Sequence, residues 1–280
     1  MRQRPLLVAI CLFVSACSQM AAPAERRLQA DEFASRHGWH PATLRTSSFD
    51  LRAYLQVKPP SGETLTVYIE GDGLAWIERS QPSTDPTPRT SLVLQLALAH
   101  PAGKSVYLAR PCQYADAEKT GCAKRYWTDG RFSKEVIAAT NSALDQLKQK
   151  LGATRLILVG YSGGGAVAAL AATRRNDVVL LITVAGNLDH RAWTQYHRVA
   201  PLEDSLNPAD EISALQKLSQ LHFAGGKDRN ITPELVLDFS RRFPEGMRPV
   251  VMIEPGFDHQ CCWVDHWHEL WRKVMDKPAN

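Results

Sequence analysis

Residues 155–172 constrain this chain more than any other segment. An apolar run, Arg155-Leu156-Ile157-Leu158-Val159, leads into Gly160-Tyr161-Ser162-Gly163-Gly164-Gly165 and then into the Ala-rich stretch 166–172. A strand that passes into a helix through four glycines requires a turn in which the two backbones nearly touch. Such a turn lifts the Ser162 hydroxyl above the sheet, with the positive end of the following helix behind it. A purely structural Gly-rich turn fits the same letters. The placement between strand and helix is what makes Ser162 a candidate nucleophile.

The remaining chain repeats the same rhythm. Strands are expected at 42–46, 49–57, 65–69, 105–109, 178–184, 220–224 and 249–253. Helices are expected at 28–37, 90–100, 133–151, 210–217, 233–242 and 263–275. Short, continuously apolar strands separated by helices define an α/β class with a parallel sheet covered on both faces. With 280 residues, 44% of them hydrophobic, and no linker between separately foldable segments, one domain is expected. In such sheets the ligand site lies beyond the carboxyl ends of the strands.

Two further strand ends carry reactive groups. The strand at 220–224 runs into Gly225-Gly226-Lys227-Asp228, and the strand at 249–253 runs into Pro255-Gly256-Phe257-Asp258-His259. Asp189, after the strand at 178–184, is a rival acid. His266 and His268 are rival imidazoles, but they sit in a helical pattern where Trp263, Trp267 and Trp271 recur at i+4, a stripe that reads as core. Gly71-x-Gly73 is too short for a dinucleotide fingerprint, and Gly226-Lys227 is followed by Asp where a phosphate loop needs Ser or Thr. No cofactor is expected. The cysteines lack metal-ligand spacing, so no metal is expected either.

The G-x-S-x-G turn and the chain order Ser162, Asp228, His259 resemble the α/β-hydrolase superfamily, over essentially everything from residue 42 onward. That resemblance implies the α/β-hydrolase fold, a mostly parallel central sheet with helices on both faces. It makes Ser162 the nucleophile, His259 the general base and acid, and Asp228 the group that orients the imidazole. The oxyanion hole would use the Gly163 amide and one amide from the turn after the strand at 65–69. Many members have His-Gly there. This chain has Glu70-Gly71-Asp72-Gly73, with Asp72 as the positional match. The implied activity is that of a serine hydrolase acting through an acyl-enzyme on a small ester or acyl substrate, a carboxylic ester first. A peptidase or amidase of the same fold and a non-catalytic envelope lipoprotein are the alternatives. Segments 110–132 and 187–208, both rich in aromatics, follow strand ends; the first could rim the pocket or be a stiffened surface loop. The second lies where many members carry a lid, and is short.

The amino terminus reads as an address. Arg2 and Arg4 precede the apolar run 6–14, and Ser15-Ala16-Cys17 follows it, the pattern of an export signal. Val14-Ser15-Ala16-Cys17 resembles the bacterial lipobox, which makes Cys17 the lipidated first residue of the mature chain and the membrane attachment. The expected organisation is a signal at 1–16, a lipidated tether at 17–27 and a hydrolase domain at 28–280. Ser18 points to the periplasmic face of the outer membrane if the source has two membranes. The net charge of +4 falls to +2 once Arg2 and Arg4 are removed, and the basic residues are dispersed, so nucleic acid is not an expected partner. Oligomeric state leaves no trace in the sequence. Of six cysteines, Cys112 and Cys122 bracket one excursion on the presumed active-site face and are expected to pair. Cys261 and Cys262 remain open between two thiols, a vicinal bond and cross-pairing with the first two.

Overall fold

A computed structural model describes residues 21–115 and 121–276; the signal 1–16 and Cys17 lie outside the described residues. The main sheet is built from β1 (Trp39–Arg45), β2 (Asp50–Gln56), β3 (Thr64–Ile69), β6 (Lys104–Leu108), β7 (Arg155–Tyr161), β8 (Val178–Val184), β9 (Gln220–Gly225) and β10 (Val250–Glu254), with a separate hairpin of β4 (Trp76–Glu78) and β5 (Gln81–Pro82). Spatial order is β1-β2-β6-β3-β7-β8-β9-β10. Strands β6 to β10 along this order pair in parallel, while β2 runs antiparallel to both β1 and β6. The expected α/β architecture is therefore the observed one.

The alternation of side chains along the strands divides the core into two layers. Leu65, Val67 and Ile69 of β3 and Leu156 and Leu158 of β7 face one side, which α3 (Lys134–Leu151) and α4 (Gly163–Ala172) cover. Tyr68, Ile157 and Val159 face the other, under α1 (Pro23–Arg36), α2 (Leu92–Leu98) and α8 (Trp267–Met275). Helix α3 seats Val136, Ile137, Thr140, Ala143, Leu144 and Leu147 on one buried stripe and stops at Gly152, which takes the left-handed conformation that a side chain disfavours. Trp263, Trp267 and Trp271 are buried, as the stripe predicted, and His266 and His268 are exposed.

Several boundaries move. The tether expected through residue 27 ends earlier, because Pro23 opens α1 and Arg26 is buried, its guanidinium hydrogen-bonded to the Thr87 carbonyl and paired with Asp85. This burial docks the first helix onto the domain. The helix expected at 210–217 shrinks to one turn, α6 (Ile212–Leu215), in which Leu215 is the buried side chain. The helix expected from 263 starts at Trp267; residues 263–266 form turns that follow Cys262, itself at φ +83°. Within 187–208 lies α5 (His190–His197), capped by the Asp189 carboxylate, and α7 (Pro233–Arg241) is as expected. The β4–β5 hairpin left no alternating signal, since Trp76, Ile77 and Glu78 are all exposed.

Candidate active site

Ser162 follows β7 and precedes α4 with φ +51° and ψ −122°, a conformation that L-residues adopt only under constraint. The constraint is visible. Its N–H donates to the Val184 carbonyl, and its own carbonyl accepts from Gly165 and Asn187. A side chain at Gly160 would overlap the backbone of Gly164, so the close approach of strand and helix requires glycine there.

The loops after β9 and β10 deliver the partners. His259 Nε2 lies 3.1 Å from Ser162 Oγ, and Nδ1 lies 2.8 Å from Asp228 Oδ2. The Asp228 side chain is fully buried, and its Oδ1 accepts the amides of Asn230 and Ile231. A carboxylate so placed only accepts, so the imidazole proton sits on Nδ1 and Nε2 presents a lone pair toward the serine hydroxyl. The His259 loop is set by Asp258, whose Oδ1 accepts the amides of Gln260 and Cys261, and by the Tyr161 hydroxyl, which donates to the His259 carbonyl. Asp189, the rival acid, is committed elsewhere: it caps α5, accepts from Asn207 and pairs with Arg242.

The turn after β3 is held by charge. Asp72 pairs with Arg131 at 2.6 Å and with Arg110 at 3.2 Å, while both guanidiniums are nearly inaccessible to solvent. Burial raises the Asp72 carboxyl, but the two guanidiniums, Arg131 before Arg110, outweigh it and hold the group below the ordinary carboxylate range. Its Oδ1 occupies the space that a side chain at Gly163 would need, so this ion cluster abuts the first amide of α4. Glu70, immediately before, accepts from Gly71 N–H, Ser91 and the Tyr107 hydroxyl; burial nonetheless pushes its carboxyl up. Of the amides in this turn, Gly71 is spent on Glu70 and Leu74 on the Pro86 carbonyl. The Asp72, Gly73 and Gly163 amides make no hydrogen bond among the described residues, and the two expected oxyanion donors, Asp72 and Gly163, are among them.

A cleft of about 870 Å³ opens over Ser162 and His259, walled by the Asp72 turn, Trp76 and Ile77 of the hairpin, Arg89, Gln95 and Cys262. Cys112 and Cys122 are bonded, as expected, and Cys261 is bonded to Cys262, which resolves the pairing left open. Among the described residues, segment 110–132 does not line this cleft. It buttresses the Asp72 turn from behind, through Arg110, Arg131 and a Gln113 amide that donates to the Gly71 carbonyl. Segment 187–208 likewise does not cover the serine; Trp193 and His197 reach Asn230 instead. Sequence reasoning missed Asn230, Arg110 and Arg131. A charged residue just beyond the end of β6 was a signal for Arg110, and the Asp-x-Asn turn was one for Asn230; nothing local marks Arg131.

Such an arrangement can withdraw a proton from a serine hydroxyl, attack an electrophilic carbonyl and hold the resulting oxyanion between two amides. No family model matches the chain, and no curated protein does. Solved structures do. Est1E from Butyrivibrio proteoclasticus is 15% identical, with a TM-score of 0.59 over 84% of this chain and 97% of that one. The Pyrococcus furiosus esterase PF2001 is 12% identical, with a TM-score of 0.58 over 85% and 88%. Pyrococcus horikoshii acylaminoacyl peptidase is 11% identical, with a TM-score of 0.53 over 79% of this chain and 38% of that one. The chain has the α/β-hydrolase fold.

Proposed function

We propose that the protein is a serine hydrolase that cleaves carboxylic esters through an acyl-enzyme. The observation that carries this reading is the continuous relay of Ser162 Oγ, His259 and Asp228, at 3.1 and 2.8 Å, beneath an accessible cleft. In the forward step His259 Nε2 takes the Ser162 proton as Oγ adds to the carbonyl, and the Asp72 and Gly163 amides stabilise the oxyanion. The imidazolium then protonates the leaving alcohol. Water, deprotonated by the same nitrogen, releases the acid. Two esterases among the structural neighbours support the ester, and the peptidase neighbour keeps the amide as the competing substrate.

Hydrolysis of a panel of short-chain esters, anilides and peptides tests the reading. Ester turnover at least tenfold above amide turnover is expected; amide preference overturns the ester assignment, and no turnover of any substrate overturns the hydrolase. The acid is tested in the same assay. Asp228→Asn should lower kcat by about 10⁴-fold, since it imposes the wrong imidazole tautomer. Asp189→Asn should leave kcat within a few-fold and lower the melting temperature, because it removes the buried carboxylate that pairs with Arg242.

The proposal includes attachment to a membrane through Cys17, supported by the export signal and the lipobox-like order preceding it. Among the described residues no helix is long and apolar enough to cross a membrane. Cys17→Ser should move the protein from the membrane fraction to the soluble fraction. Continued membrane association of that variant would overturn the anchoring assignment.

A further inference from the structure

Asn230 touches the one nitrogen on which the proposed reaction turns. Its Nδ2 lies 3.1 Å from His259 Nε2, the same distance as Ser162 Oγ. The amide has no freedom in its orientation: Trp193 Nε1 lies 3.1 Å from Asn230 Oδ1, and an indole N–H only donates. Oxygen therefore faces the tryptophan, and the amino group faces the imidazole. The backbone of Asn230 is pinned as well, its N–H to Asp228 Oδ1 and its carbonyl to His197 Nε2.

Two donors, the Ser162 hydroxyl and the Asn230 amide, thus converge on a single lone pair. While the imidazole is neutral, both contacts are favourable. Once Nε2 carries a proton, the amide N–H and the imidazolium N–H point at each other. We propose that Asn230 is a positioning residue that keeps His259 in its neutral, proton-accepting form and opposes the imidazolium, and that Trp193 of α5 locks the amide in the orientation that does so. The inference rests on the hydrolase reading above. Its consequences are that the base stays competent further into acid, and that the imidazolium, once formed, is driven to pass its proton to the leaving group.

The other charges around His259 are fixed features against which this contact can be measured. Asp228 faces Nδ1, Tyr161 of β7 packs at a tilt against the ring, and Asp258, Lys227 and Arg229 share the open groove on its far side. Asp265 lines the cleft with it, and Glu70, Asp72 and Arg89 stand across that cleft. None is altered in the variants below.

The test is the pH dependence of kcat/KM for p-nitrophenyl acetate in the wild type, Asn230→Ala and Trp193→Phe. The acid limb should move to higher pH by about half a unit to one unit in Asn230→Ala, the equivalent of one neutral hydrogen bond at 1.36 kcal/mol per unit. Trp193→Phe keeps the asparagine but removes its donor, so Oδ1 can turn to accept from the imidazolium. The limb should move the same way and at least as far. A purely structural role for Trp193 would lower the activity without moving the limb. An unmoved limb in Asn230→Ala, or one moved to lower pH, overturns the proposal; an unmoved limb in Trp193→Phe overturns the orienting role.

Nuclear magnetic resonance titration of the His259 ring in a Ser162→Ala background gives the same comparison without turnover. There the midpoint should rise when Asn230→Ala is added, and a constant midpoint overturns the proposal. A wild type that hydrolyses no ester, with the ring midpoint still rising when Asn230→Ala is added to Ser162→Ala, would sink the hydrolase reading while leaving the Asn230 contact intact. An active wild type with an unmoved acid limb would do the reverse.

Discussion

Ser162→Ala should abolish ester hydrolysis and covalent labelling by a fluorophosphonate probe while leaving the melting temperature within a few degrees of wild type. The partly buried hydroxyl opens onto the cleft and contributes little to packing, and what the variant loses is the nucleophile itself. His259→Ala should be nearly as severe, since members of such a relay act as a unit and removal of one costs on the order of 10⁴ to 10⁶ in kcat. The backbone at position 162 is held by hydrogen bonds of its own amide and carbonyl, so the turn should survive truncation of the side chain. Retention of more than a few per cent of the activity by Ser162→Ala, or labelling at another serine, would remove the assignment.

Arg131→Met is expected to lower the rate strongly without touching the relay itself. Asp72 then keeps only Arg110, the more distant partner, and its carboxylate stands beside Gly163 with its charge only partly neutralised. A negative charge at that point opposes the one that develops on the substrate oxygen, and misplacing an oxyanion donor costs about 10² to 10³ in kcat. The fall should appear in kcat more than in KM, because the ground-state carbonyl carries little charge. Adding Asp72→Asn to Arg131→Met removes the carboxylate charge beside Gly163 and should restore at least tenfold of the lost rate. Failure of this rescue, with both proteins folded by circular dichroism, would show that the arginine acts through packing and not through charge.

How much of this was legible beforehand differs from residue to residue, for physical reasons. The elbow at Ser162 is encoded within a dozen residues, because a strand, a glycine turn and an Ala-rich helix are local preferences and the strained serine is their sum. Asp228 and His259 were readable because apolar strands end abruptly, and whatever follows a strand end in a parallel sheet lands on one face. The same logic left Asp189 as a rival to Asp228, and the folded chain shows its oxygens occupied by a helix cap, Asn207 and Arg242.

The amino acid order by itself thus determined the class of fold, the candidate nucleophile with its two partners, and the local Cys112 to Cys122 bridge. Only the tertiary structure decided which amides of the Asp72 turn stay free, that Arg110 and Arg131 hold that turn across 38 and 59 residues, and that Asn230 meets a nitrogen 29 residues away. Secondary-structure signals are local and periodic, and so survive in the sequence. Ion pairs and hydrogen bonds between loops depend on where the sheet order places each strand end, and that order is fixed by packing on both faces of the sheet.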